Sequence, residues 1–433
     1  MKISKFQIIV LAFFVVCIVA GVIFFATYKG SGSTGTDSVT VSIWGTFPAE
    51  AFNSYVNKLS LTLPQKINVK YTQKDPATFS QEFNAAASRG KGPDALLIPA
   101  DMLLPQFGVI TLIPYSVLDQ RTFKDTFIQE GEIYLTDSGI LAIPFTVDPL
   151  VMYWNRDLFS SAGVATYPKY WDEFSALNKK LTIKDDNGNI RRSTIAMGDF
   201  TNISNARELL GTLFMQVGNP VVARASDGSI ASTLKTSIAS DSSPAVRFFT
   251  QFVDPNNTNY SWNRGMPDSK TAFISGNLAT YFGFTSELRD IRAKNPNLNF
   301  DVASMPQART EGVKATYGRL YGLSIVSSSP NQNAVYQDII ALANAANMDI
   351  LNQAMYLPST NRATIAAGSS DPYINVFDSA ALISKTWFDA DQSKSFKIFS
   401  GMIDAVTSGS KSVSEAVNDA GDQYDALLKS ITQ

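Results

Sequence analysis

The chain has 433 residues, 45% of them apolar and 28 of them phenylalanine, enough for one large two-lobed core or two ordinary domains. Its 36 Lys and Arg stand against 38 Asp and Glu, a balance without a basic stripe for phosphates, which argues against nucleic acid as a partner. There is no histidine, and Cys17 is the single cysteine. Imidazole bases, histidine-bearing triads and His or Cys zinc sites are therefore excluded; neither cofactor nor metal is expected, and a carboxylate pair is the main catalytic route left open.

Residues 1–7 carry Lys2 and Lys5 and precede a charge-free apolar run from Ile8 to Ala26, about as long as a helix that crosses a bilayer. The run is too long for a typical signal-peptide core, and Phe24 stands where cleavage after Ala26 would want a small residue. It is expected to be an uncleaved single-pass anchor, with cleavage after Ala20 as the alternative; Cys17 reads as an apolar helix residue. Lys2, Lys5 and the terminal amine outweigh Lys29, which leaves the N-terminus in the cytoplasm and the rest of the chain on the extracytoplasmic side of the cell membrane. The Gly/Ser-rich 27–38 reads as a flexible linker.

From residue 39, "VTVSIWGTF" alternates as a strand and ends at glycine, with Trp44 near its end and Phe47 in the loop beyond. A helix, the strand "INVKYTQ", a second helix with Phe79, Phe83 and Ala87 on one face, and the strand Ala95–Pro99 follow. Strand, helix, strand, helix, strand is the pattern of a parallel sheet covered by helices, whose ligands bind beyond the strands' carboxyl ends. Trp44 and Asp101 lie at those ends, although Asp101 also fits a helix N-cap. "IPFTVDPLVMYWNRDLF" (143–159) inserts two prolines and the lone Asp148 into an apolar run.

Further along, Asn187-Gly188 predicts a two-residue hairpin turn, and Ser243-Pro244 opens a helix. "YGRLYGLSIVSSS" returns to sheet. Ser412 with Glu415 forms a capping box before an apolar stripe through Val417, Ala420, Tyr424 and Leu427, which is expected to pack on the parent domain.

"LVMYWNRDLFSSAGVATYPKYWDEF", with Tyr153, Asn155, Arg156, Gly163, Pro168, Trp171 and Glu173 in order, resembles a segment of family 1 extracellular solute-binding proteins, the maltose-binding-protein-like group. "KTAFISGNLATYFGF", through Ala272, Phe273, Gly276 and Ala279, and "YLPSTNRA" are similar to two further stretches of that family. The likeness runs over about residues 39–410.

The resemblance implies an α/β fold of the type II periplasmic-binding-protein kind, two lobes with a hinge and an interlobe cleft, behind one N-terminal transmembrane helix. It implies lobe 1 in 39–145 and 285–335 and lobe 2 in 146–284 and 336–433, with Pro144 limiting the backbone at the first crossing. Trp44, Phe47, Asp101, Asp148, Trp262, Phe284, Arg319 and Tyr321 would border the cleft and bind the ligand. The implied function is capture of a small solute, a carbohydrate, by lobe closure and delivery to an ABC transporter permease, by a monomeric non-enzyme. A sensor or surface-capture role without transport is the alternative. A carbohydrate-active enzyme would need Asp101 and Asp148 about 5 to 10 Å apart across a sugar.

Overall fold

Strand β1 (Val41–Gly45) buries alternate residues, Val41, Ile43 and Gly45, as its apolar-polar alternation requires. Helix Ala49–Thr62, β2 (Val69–Gln73), helix Phe79–Ala87 and the fully buried β3 (Ala95–Pro99) follow. β1 pairs in parallel with both β2 and β3, the arrangement expected from the sequence. The computed structural model describes residues 39–62, 67–225, 228–235, 241–309 and 313–432, and Thr40–Gln433 forms one compact unit. The expected anchor Ile8–Ala26 lies outside the described residues, among which no helix is long and apolar enough to cross a membrane.

The eleven-stranded main sheet also holds β4 (Ile143–Asn155), β5 (Ile183–Lys184), β6 (Ile190–Ile195), β7 (Leu278–Phe284), β8 (Phe300–Ala303) and β9 (Thr316–Val326), with two short strands, Ile110–Thr111 and Ser384–Lys385, paired to β9. Their order is β2-β1-β3-β9-β4-β7-β6-β5, with β8 also paired to β4. Two long strands therefore run through both halves. In the first half β9 pairs with β3 through Tyr321–Ile325, and in the second β4 pairs with β7 through Leu150–Trp154. Between them β4 and β9 lie antiparallel, with Arg319 opposite Asp148 and Gly318 opposite Pro149.

This crossing is tightly packed. A Cβ on Gly318 would lie 2.7 Å from the Ser384 Cβ and 2.8 Å from the Glu130 carboxylate, so any side chain there forces something to shift. "YLPSTNRA" covers the other side: the Pro358 carbonyl accepts from the Thr146 hydroxyl (2.7 Å) and the Val147 N–H (3.2 Å).

The chain's return path differs from the expected one. After β7 it does not recross at Phe284 but passes through the turn Thr285–Glu287 and helix Leu288–Lys294 into β8, antiparallel to Met152–Asn155 of β4. The reason is pairing: β9 does not reach the far end of β4, and β8 satisfies the backbone groups left there. The crossing falls instead in β9. Helices Gln332–Leu342 and Ala345–Met355 then pack on the first half, where the Tyr55 hydroxyl donates to the Leu342 carbonyl (2.6 Å).

The hairpin β5–β6 forms, but with a loop rather than a two-residue turn: Asp185 accepts the N–H groups of Asn187 (3.0 Å) and Asn189 (2.9 Å). Pro244 sits in the first turn of helix Ser243–Thr250. At Ser412 the capping box closes both ways, Ser412 N–H to Glu415 (2.9 Å) and Glu415 N–H to the Ser412 hydroxyl (3.3 Å). Helix Val413–Thr432 buries Val417, Ala420 and Tyr424 and packs along helix Gln392–Thr407.

Candidate functional site

At the crossing, register sets Asp148 of β4 against Arg319 of β9. The Asp148 carboxylate accepts from the Thr285 hydroxyl (2.9 Å), the Ser286 N–H (3.0 Å) and the Ser286 hydroxyl (2.6 Å), and Arg319 Nη1 lies 3.9 Å away. Burial raises its pKa, against the pull of Arg319 and of these donors. The Arg319 guanidinium also lies 4.0 Å from the ring centre of Phe284. Phe47 and Tyr321 meet edge to face at 5.3 Å.

These expected site residues thus gather at the crossing. Asp148, however, uses its acceptor capacity within the chain, strapping β4 to the turn that follows β7, rather than offering it to a ligand. Beside them Glu130 accepts from the Ser384 hydroxyl, while its Oε1 has no partner among the described residues. Burial pushes its carboxyl up to about 8, with Ser384 and Lys385 pulling the other way.

Asp101 belongs to a second cluster. The short 3-10 turn Ala100–Met102 at the end of β3 holds it, so it stands inside a turn rather than at a helix N-cap. Its Oδ2 accepts from the Tyr317 hydroxyl (2.6 Å) and faces Arg207 Nη1 (3.4 Å). Arg207 extends from helix Ala206–Gln216 and also reaches Glu208 (2.9 Å), Asp389 (2.6 Å) and, through Nε, the Ser395 hydroxyl (3.1 Å). Burial works against its charge, but Asp389 and its other partners outweigh burial and hold its pKa above the ordinary range. The guanidinium lies over the Trp387 ring at 4.7 Å. Trp387 reaches so close to the helix that a Cβ on Gly211 would lie 2.5 Å from its ring, which only glycine avoids.

Next to this cluster lies a cavity of about 490 Å3, bordered by Asp75–Ala77 and Asp101 on one side and Asp389–Ser393 on the other. Asp101 lines it, is 3% exposed, and its Oδ1 has no partner among the described residues. A larger and more open depression of about 760 Å3, around Tyr167, Tyr170 and Arg309, touches neither cluster. Among the described residues no group of three or more Cys, Asp or Glu could hold a metal ion.

Two expected contacts sit elsewhere. Trp262 is 0% exposed, its indole N–H donated to Asn202 (2.9 Å) within the second half, so it offers no stacking face. Trp44 is half-buried and its ring is covered by the Lys74 ammonium at 4.0 Å. Arg207, Tyr317, Trp387 and Asp389 were missed. A signal existed for Arg207, a cation in the otherwise largely apolar stretch "ARELLGTLFM".

A family model described as bacterial extracellular solute-binding protein matches residues 49–348. The chain belongs to that family. A family relative, the maltooligosaccharide ABC transporter solute-binding lipoprotein of Streptococcus pneumoniae, is 24% identical over 311 residues, 66% of this chain; the match spans 64% of the relative, less than two thirds of its length. Among solved structures, the cyclic alpha-maltosyl-1,6-maltose binding protein of Arthrobacter globiformis superimposes with a TM-score of 0.72 at 17% identity, over 90% of this chain and 99% of that one. The GacH receptor of Streptomyces glaucescens gives 0.67 at 18% identity, over 90% and 98%. The fold is therefore the α/β fold of maltose-binding-protein-like proteins, and the relatives matched are solute-binding proteins rather than enzymes.

Proposed function

We propose that the chain captures a small carbohydrate in the cleft between two lobes hinged at the β4–β9 crossing and delivers it to an ABC importer from the extracytoplasmic face of the membrane, held there by Ile8–Ala26. The observation that carries this reading is the cavity between the end of β3 and the Asp389–Ser393 segment, bordered by the carboxylate of Asp101 with a free acceptor oxygen. Clefts of this kind are favoured small-molecule sites, and buried acceptors there demand donors from the ligand. Family membership and saccharide-binding relatives support the carbohydrate and the importer.

Asp101 contacts the solute directly. Asp148, Arg319, Phe284, Phe47 and Tyr321 act beneath it, where the two halves pivot, and Trp44 adjoins the Lys74–Asp75 loop at the rim. Calorimetric titration of the purified full-length chain with mono- and oligosaccharides tests the reading. With whichever ligand binds, Asp101→Ala weakens affinity by about 1 to 3 kcal/mol, about tenfold to hundredfold. A panel without any saccharide binder, or unchanged affinity in Asp101→Ala, rejects this site.

A further inference from the structure

We infer that the solute taken into this cavity carries a positive charge: a saccharide bearing a protonated amine rather than a neutral sugar. The inference rests on the solute-binding reading above and narrows its ligand class. Asp75, Asp101, Asp389 and Asp391 line the cavity, and neither Lys nor Arg does. Their cationic partners are few. Asp101 and Asp389 share the one guanidinium of Arg207, which Glu208 also claims, and Lys394 stands 3.5 Å from Asp391. Negative charge is thus in excess around the cavity.

Two further features point the same way. Asp101 is almost wholly buried, borders the cavity, and keeps Oδ1 without a donor. A sugar hydroxyl would satisfy that oxygen's hydrogen bond and leave the charge excess untouched. An ammonium does both, through a charge-assisted bond about twice as strong as a neutral one. Second, the lining contains no Trp, Tyr or Phe, and Trp387, which stands close by in the chain, is 1% exposed beneath Arg207. A neutral sugar is held in large part by an aromatic face under its C–H surface. This cavity lacks such a face and offers carboxylates instead.

The test is calorimetric titration of the full-length chain, in mildly acidic buffer at low and high salt, with three probes: a trisaccharide of glucosamine, its fully N-acetylated counterpart, which lacks the charge, and maltotriose. The expected result is at least about tenfold tighter binding of the charged trisaccharide at low salt, a preference that narrows as salt rises. Asp101→Asn removes most of that preference. Asp75→Asn, at an exposed position whose change does not threaten folding, reduces it too. Equal or tighter binding of a neutral probe, without salt dependence, overturns the charge inference while leaving the carbohydrate reading intact. Binding of none of the three overturns both.

Discussion

Asp101 and Asp148 each lie at a strand end or crossing of one sheet, and each is 3% exposed. Their surroundings nevertheless give them different work. Asp148 takes three hydrogen bonds from Thr285 and Ser286 with Arg319 nearby, so every demand of its charge is met inside the chain. Asp101 has Tyr317 and Arg207 on one oxygen and nothing on the other, and it borders a cavity. A satisfied buried carboxylate is a fastening; a half-satisfied one beside open space is where we propose that the ligand binds. Glu130 sharpens the contrast, for it too has an orphan oxygen but lines none of the cavities described. Burial answers by raising its pKa instead.

The largest expected effect tests the Asp101 side. Arg207→Met strands the buried carboxylates of Asp389 and Asp101 without their cation, which costs about 3 to 5 kcal/mol in urea denaturation. A loss below about 1 kcal/mol would mean that the guanidinium does not hold the two carboxylates together. Asp148→Ala comes next. It leaves Thr285 and Ser286 without their acceptor at the crossing and lowers stability by about 1 to 3 kcal/mol. Its effect on solute affinity is smaller than that of Asp101→Ala; the reverse order would break the distinction between fastening and binding group.

A further expectation concerns pH. Glu130's folded pKa of about 8 lies above its ordinary value of 4.5, so the folded state holds a proton that the unfolded state has released. The stability this contributes is fully present below about pH 4.5 and is lost as pH rises through about 8. Glu130→Gln keeps an acceptor for Ser384 and cannot ionise. Thermal melts across that window should show wild-type stability declining faster with pH than the variant's. Parallel curves would mean that Glu130 ionises freely in the folded protein.

Much of this was readable from the chain. The alternation in Val41–Gly45, the four-residue spacing of Phe79 and Phe83 and the glycine and proline punctuation placed the first half of the sheet, because those signals are local. The proline-rich 143–155 marked a strand that changes surroundings midway. What escaped was pairing at long range. Four residues, Phe300–Ala303, carry no mark of which strand they will join, so the return of the chain to β4 was invisible. Arg207 meets Asp101 from 106 positions away and Asp389 from 182, and no periodicity encodes such meetings. Trp262 illustrates the reverse error, since an aromatic in a loop shows its size but not whether the fold buries it.

The place of β9 has a consequence for how the chain assembles. It is the strand that joins β3 to β4, yet of β1 to β9 it is the last to be synthesised, and only the two-residue strand Ser384–Lys385, which pairs with it, follows in the main sheet. Until Thr316–Val326 emerges, β2-β1-β3 and the β4-β7-β6-β5 group are two separate sheets, each with an unpaired edge of buried-type sequence facing the other. Exposed apolar edges of that kind are templates for pairing with other chains. A fragment ending before Thr316 should therefore aggregate where the complete chain folds, and closure across so many intervening residues should make β9 docking the slow step of folding.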